Sequence, residues 1–192
     1  MFVVRPYTTM GARASHRKRC RILRDCHGIA LLEAAIVFPV LIILFFGVSE
    51  LCEGFTASRR VSAAAYTAAD LVARLQTVSS SDLTALKSMI DETIKPMPVA
   101  TVAMVVTSVV ADENNVTTVA WSDALGSGVT AYAPGSSITL PAGLTAPNTS
   151  IIYAQITYTF QSTLSTFIVG GVPLQAQAYQ QPRFTLQVAR GS

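Results

Sequence analysis

The sequence is poor in charge and in histidine. The scarcity of histidine excludes a class of catalytic site. Charged residues make up 13% of the 192 residues, whereas soluble domains carry about 25%. The two histidines, His16 and His27, both lie near the N-terminus. The long segment after them therefore cannot form a Ser-His-Asp or Cys-His catalytic arrangement. It also has no glycine loop of the nucleotide-binding type after a predicted strand. We expect no enzyme, no catalytic residue and no cofactor.

Cysteine is equally scarce. Cys20 and Cys26 precede a long apolar run and Cys52 follows it. If the first segment is cytosolic, its two thiols lie in a reducing compartment and Cys52 stands alone outside, so no disulfide framework is expected. The spacing of Cys20 and Cys26 matches no common zinc pattern. We therefore expect no metal site.

Charge is unevenly distributed along the chain. Residues 1–28 hold seven basic and one acidic side chain, a net charge of +6, whereas the remaining 164 residues hold seven basic and ten acidic ones, a net charge of −3. The pI of 8.9 averages two opposite segments and is poor support for nucleic-acid binding. The basic segment directly precedes an apolar run, and it indicates membrane topology instead.

Residues 29–48 read IALLEAAIVFPVLIILFFGV, with one charged residue, Glu33. A helix of twenty residues spans about 30 Å, the thickness of a bilayer core. A cleaved signal peptide would have a shorter apolar run and a small-x-small site, which is missing here. We predict a cytoplasmic leader over 1–28, a transmembrane helix over 29–48 and an exported domain over 49–192. The positive-inside rule gives this orientation, in a bacterial inner membrane.

Two residues of the span stand out. A carboxylate inside the hydrocarbon costs about 2.5–3.5 kcal/mol, so Glu33 needs either the nearby headgroups or a cation from another subunit. Glu33 is the fifth residue after Gly28, which is the layout of a prepilin leader cleaved between Gly28 and Ile29. Pro39, at mid-span, removes one helix hydrogen bond and predicts a kink; it is either a tolerated membrane proline or a functional bend.

The segment from Arg24 to Glu50 resembles the N-terminal signature of TadE-like pilus assembly proteins. The positions that carry the resemblance are Gly28, Ala30, Glu33, Ala35, Pro39, Gly47 and Glu50. Ala34 departs from the signature, which has an aromatic residue there. The resemblance implies a minor pilin-like subunit (a pseudopilin) or an assembly factor of a Tad (Flp, type IV pilus-like) system. Its implied partners are other pilins, the Tad secretion machinery, a prepilin peptidase and membrane lipid, without nucleic acid. The alternative is an uncleaved bitopic envelope scaffold.

The exported part begins with a predicted amphipathic helix that continues the span. Its apolar positions recur at intervals of three and four. They are Leu51, Phe55, Ser58, Val61, Ala65, Ala68, Val72 and Leu75. The alanine-rich stretch 62–69 predicts close contact with another helix. Ser81 is the predicted N-cap of a second, short helix, which Pro96 and Pro98 end.

The rest of the sequence is typical of β-structure. Residues 99–110 and 116–121 predict a hairpin around a turn at 112–115, and 151–161 alternate as a half-buried strand. Residues 123–150 predict a long loop with one short strand at 137–140. A turn at 170–173 and a final strand over 174–188, interrupted at Pro182, complete the expectation. We predict an α+β, pilin-like fold: a long N-terminal helix, a short helix and a small antiparallel sheet.

Overall fold

The computed structural model describes residues 27–161 and 171–191. The chain divides into two compact units, Met1–Gly47 and Val48–Ser192. Most of the predicted leader, and Gly170 of the predicted turn at 170–173, lie outside the described residues. The described part contains a long apolar N-terminal helix, a second helix and a four-stranded antiparallel sheet, which confirms the α+β fold.

Helix α1 runs from His27 to Ala73. In the first unit its apolar side chains are exposed throughout, and a window of eighteen residues has a mean hydropathy of 2.8. A fully exposed apolar helix of this length needs a non-aqueous surrounding, because no other described element covers it. The helix is therefore long and apolar enough to anchor the chain in a membrane as a single pass.

The α1 residues of the second unit bury a stripe of small side chains. Its members are Ala57, Val61, Ala64, Ala65, Ala68, Ala69, Val72 and Ala73. The predicted amphipathic helix is therefore present, but the prediction that Leu51 and Phe55 belong to its buried face is wrong, since they are 70% and 67% exposed. The buried stripe starts only at Ala57, where the helix reaches the core of its own domain.

Helix α2, Ser80–Ile94, packs Leu83, Leu86, Ile90 and Ile94 into the same core. Its N-cap is Ser79, so the prediction of Ser81 is wrong. The Ser79 hydroxyl accepts from the Asp82 amide, and the Asp82 carboxylate accepts from the Ser79 amide. A capping box needs the cap three residues before the acid, and only Ser79 has that spacing. The helix ends before Pro96, as predicted.

The described residues form six strands, numbered in chain order. They are β1 Thr77–Val78, β2 Ala103–Ala111, β3 Thr117–Leu125, β4 Ser150–Phe160, β5 Val172–Gln180 and β6 Ala189–Arg190. The main sheet is antiparallel throughout, in the order β3-β2-β4-β5. The predicted alternation in β4 is confirmed. Its even-numbered residues from Ile152 to Phe160 enter the main core, which lies between the helices and one face of the sheet.

Several strand limits differ from the predictions. The short strand predicted at 137–140 is a single bridge between Thr118 and Ser137. Val172 and Pro173, predicted as part of a turn, belong to β5. The final strand predicted over 174–188 ends at Gln180. Beyond it, β6 pairs in parallel with β1 and forms a small second sheet. Strands of two residues are too short to show a periodic pattern in the sequence, so this sheet was not predicted.

The opposite face of the main sheet has its own small core. Val109, Ile151 and Tyr153 are buried there beneath the loop between β3 and β4, which contributes Ile138, Leu140 and Leu144. The Tyr153 hydroxyl donates to Gln155 Oε1 at 2.6 Å. Burial raises the pKa of Tyr153 above its usual value, which keeps this donor protonated at physiological pH. The segment that the sequence predicted as a long loop therefore covers part of the sheet.

Candidate functional site

Glu33 is the single charged residue of the apolar part of α1. Val37, Val40 and Leu44 follow it at intervals of four, three and four residues, which places all four side chains on one helix face. Glu33 is exposed, and no described residue hydrogen-bonds or ion-pairs with it. Within hydrocarbon such a carboxylate requires a partner. The described part of this chain does not supply that partner.

Gly28 lies in the first turn of α1, one residue after the helix begins at His27. Amide groups of a first turn have no intrahelical acceptor, so this end of a helix opens easily. A side chain added at Gly28 would meet nothing within 4 Å. The bond between Gly28 and Ile29 is therefore sterically open from the side of the described residues.

Pro39 lies inside α1, which continues on both sides of it. Proline has no N–H to donate to the carbonyl of Ala35, so one helix hydrogen bond is missing at this level. The kink expected there stays a prediction, and so does its role.

The alanine-rich stretch does not offer a contact to another subunit. Ala64, Ala65, Ala68 and Ala69 are completely buried in the core of their own domain. The prediction of a contact between subunits through this face is therefore wrong. The small side chains instead pack into the core that α1 shares with α2 and the sheet.

Large apolar side chains lie on the exposed side of α1 in the second unit. The sequence pattern predicted two of them, Leu51 and Phe55, on the buried face and did not indicate the third, Tyr66. Leu51 and Phe55 are four residues apart, and Tyr66, eleven residues further on, is 58% exposed. Separations of four and eleven residues keep the three on one helix face. The available sequence signal was this spacing. Leu51 and Phe55 were instead grouped with the buried alanines because both sets fit a helical period.

The segment after β5 is joined to the end of α1 by an ion pair and a backbone hydrogen bond. Asp70 binds Arg74 at 2.6 Å and also Arg183, whose amide donates to the Ala73 carbonyl. The hydrogen bond from Arg74, together with the charge of Arg183, holds the pKa of the Asp70 carboxyl below its usual value. The same segment leaves Phe184 and Leu186 exposed. The sequence did not indicate the pairing of Arg183 with Asp70, because the two residues are 113 positions apart in the chain.

The adjacent carboxylates Asp91 and Glu92, and Asp112 in the turn after β2, have structural contacts. Asp91 and Glu92 form ion pairs with Lys87 and Lys95 along α2. Asp112 accepts hydrogen bonds from two amides of the turn between β2 and β3. Within residues 27–161 and 171–191, no group of three or more histidine, cysteine or acidic side chains is placed to hold a metal ion. The contacts of Asp91, Glu92 and Asp112 are thus local to α2 and to the turn between β2 and β3.

Comparison with known proteins adds one finding to this geometry. Residues 28–70 match the family described as TadE-like protein. The resemblance drawn from the sequence is thereby confirmed over a segment that begins at Gly28 and includes Glu33 and Pro39. No curated protein and no solved structure matches the chain significantly.

The TadE-like match covers the apolar helix and most of its continuation into the second unit. It ends at Asp70, the residue that pairs with Arg183. The TadE-like family is pilus-associated and is not a family of enzymes. Together with the single apolar helix, the match associates this chain with Tad pili and with a membrane. The sheet lies outside the matched segment.

Proposed function

We propose that this chain is a minor pilin-like subunit or assembly factor of a Tad-type pilus. Residues 29–48 would anchor it in a bacterial inner membrane, with 1–28 in the cytoplasm and the domain 49–192 exported. The observation that carries the proposal is the TadE-like match that starts at Gly28, together with Glu33 five residues after this glycine in an exposed apolar helix. The charge difference between the leader and the rest supports the orientation.

The proposed mechanism is electrostatic pairing inside the membrane. A prepilin peptidase would hydrolyse the bond between Gly28 and Ile29, which leaves a free ammonium group on Ile29. That group and the Glu33 carboxylate of a neighbouring subunit would each be an unpaired charge in hydrocarbon, and each costs less when they meet. The absence of a described partner for Glu33 within its own chain supports a partner from another subunit.

The expected partners are other pilin or pseudopilin subunits, the Tad secretion machinery, the peptidase and membrane lipid. The net charge of −3 after residue 28 gives no support for nucleic-acid binding by the exported part. The exposed apolar face of Leu51, Phe55 and Tyr66 supports contact with another protein or with the membrane surface.

Ala34 favours a second candidate function. The family signature has an aromatic residue after the glutamate, and that aromatic is part of the site read by the peptidase. An alanine there supports an uncleaved bitopic scaffold that remains in the membrane and never enters a fibre. The two candidates differ in one measurable property, the first residue of the protein in the cell.

Intact-mass measurement of the membrane-extracted chain, from cells that contain the Tad peptidase, separates these functions. A subunit should begin at Ile29, and Gly28→Leu should abolish cleavage because a large side chain replaces the glycine before the scissile bond. Gly47→Leu is the control, since Gly47 has the same open surroundings in the same helix but lies far from the bond. A wild-type chain that begins at Met1 supports the scaffold and rules out the pairing mechanism.

A second experiment tests Glu33 itself. Glu33→Gln should still be cleaved but should associate more weakly with sister subunits in mild detergent than wild type does, because the neutral amide cannot pair with the ammonium group. Glu53→Gln removes a carboxylate from the same helix after the apolar run, so association should persist. Wild-type association in the Glu33→Gln chain would refute the ion pair.

A further inference from the structure

Within residues 27–161 and 171–191, strand β5 is an uncovered edge of the main sheet. In the order β3-β2-β4-β5 it pairs with β4 alone, and no described residue bonds to its outer side. The other edge is different. On β3, Val119 donates to Ser136 and accepts from Gly135, and Thr118 is bridged to Ser137. Among the described residues, the β3 edge is therefore partly covered by the chain's own loop, and the β5 edge is not.

The position of Pro173 identifies the backbone groups that point outward from β5. Pro173 lies opposite Thr159 of β4, and the Thr159 carbonyl accepts from the Thr101 hydroxyl, on the side away from β5. Proline also has no N–H to donate. Thr159 and Pro173 are therefore a pair that exchanges no hydrogen bonds. By the alternation of antiparallel ladders, Gln175, Gln177 and Tyr179 direct their amide and carbonyl groups to the free edge.

This edge has little of the usual protection against other strands. Natural edge strands carry charges, prolines or bulges, or are covered. The nine residues of β5, VPLQAQAYQ, contain no charge, and their pairing with β4 has no register shift. Pro173, near the start, is the one protective residue. An uncharged, regular edge of this length is a template for one more strand.

We infer that β5 is a dimerisation edge, and that its occupant is β5 of a second copy of this chain in antiparallel pairing. Two features identify a second copy. A two-fold axis places a strand opposite itself, which an uncharged strand tolerates because no like charges meet. The other sheet edge is partly covered in the described part of the chain, so sheet extension between copies joins one bare edge to another.

The central residue of the proposed pairing is Ala176, which lies opposite Ala176 of the second copy. Non-hydrogen-bonded pairs bring the two backbones to about 4.5 Å between Cα atoms, and alanine fits this approach. Gln175 then lies opposite Gln177, and Pro173 opposite Tyr179. In this register each outward amide of Gln175, Gln177 and Tyr179 finds a carbonyl acceptor, and the carbonyl of Pro173 is used as well.

The strand is held in an extended form before any partner arrives. Nine residue pairs join it to β4, and the Tyr179 ring stacks on Tyr153 with 5.2 Å between ring centroids and 21° between ring planes. A preformed strand loses little conformational entropy on pairing. The dimer contact therefore requires no rearrangement of the domain.

Cross-linking of the purified full-length chain in detergent tests the proposal without a pilus. In a background with Cys20, Cys26 and Cys52 replaced by serine, Ala176→Cys should give a disulfide-linked dimer under mild oxidation, because the expected Cα separation suits a disulfide. Ala124→Cys, an exposed position on the β3 edge, is the control and should give no disulfide-linked dimer. Equal cross-linking of both variants, or none at Ala176→Cys, would overturn the inference.

Charge substitutions test the register and do not depend on oxidation. In a chain expressed without the peptidase, so that no Ile29 ammonium group forms, Gln175→Lys with Gln177→Lys places like charges opposite each other and should leave a monomer by analytical ultracentrifugation. Gln175→Lys with Gln177→Glu places lysine opposite glutamate and should restore the dimer. Gln175 and Gln177 are both exposed, so the far-UV circular dichroism of the two double variants should be unchanged. A wild-type chain that is monomeric, or that pairs through β5 with a different protein, would refute the homodimer while leaving the pilus proposal intact.

Discussion

The indole Nε1 of Trp121 donates a hydrogen bond to the carbonyl of Val188 at 2.8 Å, across 67 residues of sequence. Both residues are buried. The bond joins β3 to the segment that precedes β6. Arg190 adds a second link on the same side, since its guanidinium binds the Asp123 carboxylate at 2.8 Å and Ser80 Oγ at 2.8 Å. The last described residues are thus part of the core structure.

Trp121→Phe should destabilise the domain because the Val188 carbonyl stays buried and loses its donor. Such an unsatisfied group costs about 1–3 kcal/mol. Urea unfolding of the full chain in detergent, followed by circular dichroism, measures the loss. Tyr66→Phe is the control, since Tyr66 is exposed, and it should change the free energy of unfolding little. Equal stability of Trp121→Phe and wild type would show that the hydrogen bond contributes nothing.

Ser79→Ala should destabilise α2 by about 1 kcal/mol because it removes the N-cap acceptor. Ser81→Ala should cost less, since Ser81 contacts only the Ser79 hydroxyl, at 2.8 Å. Thermal unfolding of the two variants under identical conditions compares them directly. A larger effect at Ser81 would contradict the assignment of Ser79 as the cap.

Ala68→Leu should destabilise the domain by about 1–3 kcal/mol, because the added atoms have no room in a packed core. Ala63→Leu, on the exposed side of the same helix, should have little effect. Denaturant unfolding distinguishes the two. A tolerated leucine at position 68 would mean that the alanine face is not packed against its own domain.

The ion pairs of Asp70 make stability depend on acid pH. Its carboxyl has a pKa below the ordinary 3.8 in the folded chain, chiefly through the hydrogen bond from Arg74. This stabilisation is therefore complete above the unfolded pKa and is lost as the pH falls through the folded pKa. Asp70→Asn should be less stable than wild type at neutral pH, and the difference should vanish at strongly acid pH. Urea titrations at several pH values measure it; a constant difference would contradict the shift.

Local patterns allowed much of this fold to be predicted. The unbroken apolar run over 29–48 predicted the exposed helix, and the period-two alternation from Ile152 to Phe160 predicted a strand with one buried face. Such patterns succeed because burial on one side of an element imposes its period on nearby residues. The Gly28–Glu33 spacing likewise led to the family before any comparison, although cleavage and pairing at these residues stay predictions.

Features that depend on distant residues escaped prediction. The pairing of β1 with β6 joins Thr77 to Ala189, and strands of two residues have no period to recognise. The alanines of α1 fit contact with a sister helix as well as burial in their own domain, because small side chains permit either. Only the position of the sheet decides between the two. The choice between Ser79 and Ser81 likewise depended on which hydroxyl reaches the Asp82 amide.

The parallel pairing of β1 with β6 has a consequence for the order of events during secretion. In the proposed topology the leader stays in the cytoplasm and the chain after the apolar helix crosses in sequence order, so Val78 is exported more than a hundred residues before Arg190. Until the end of the segment has been translocated, the Val78 carbonyl and Ser80 lack the arginine that binds them in the finished domain. Contacts so distant in sequence form late because loop closure must precede them. In an exported domain, completion of folding would therefore report that translocation has ended.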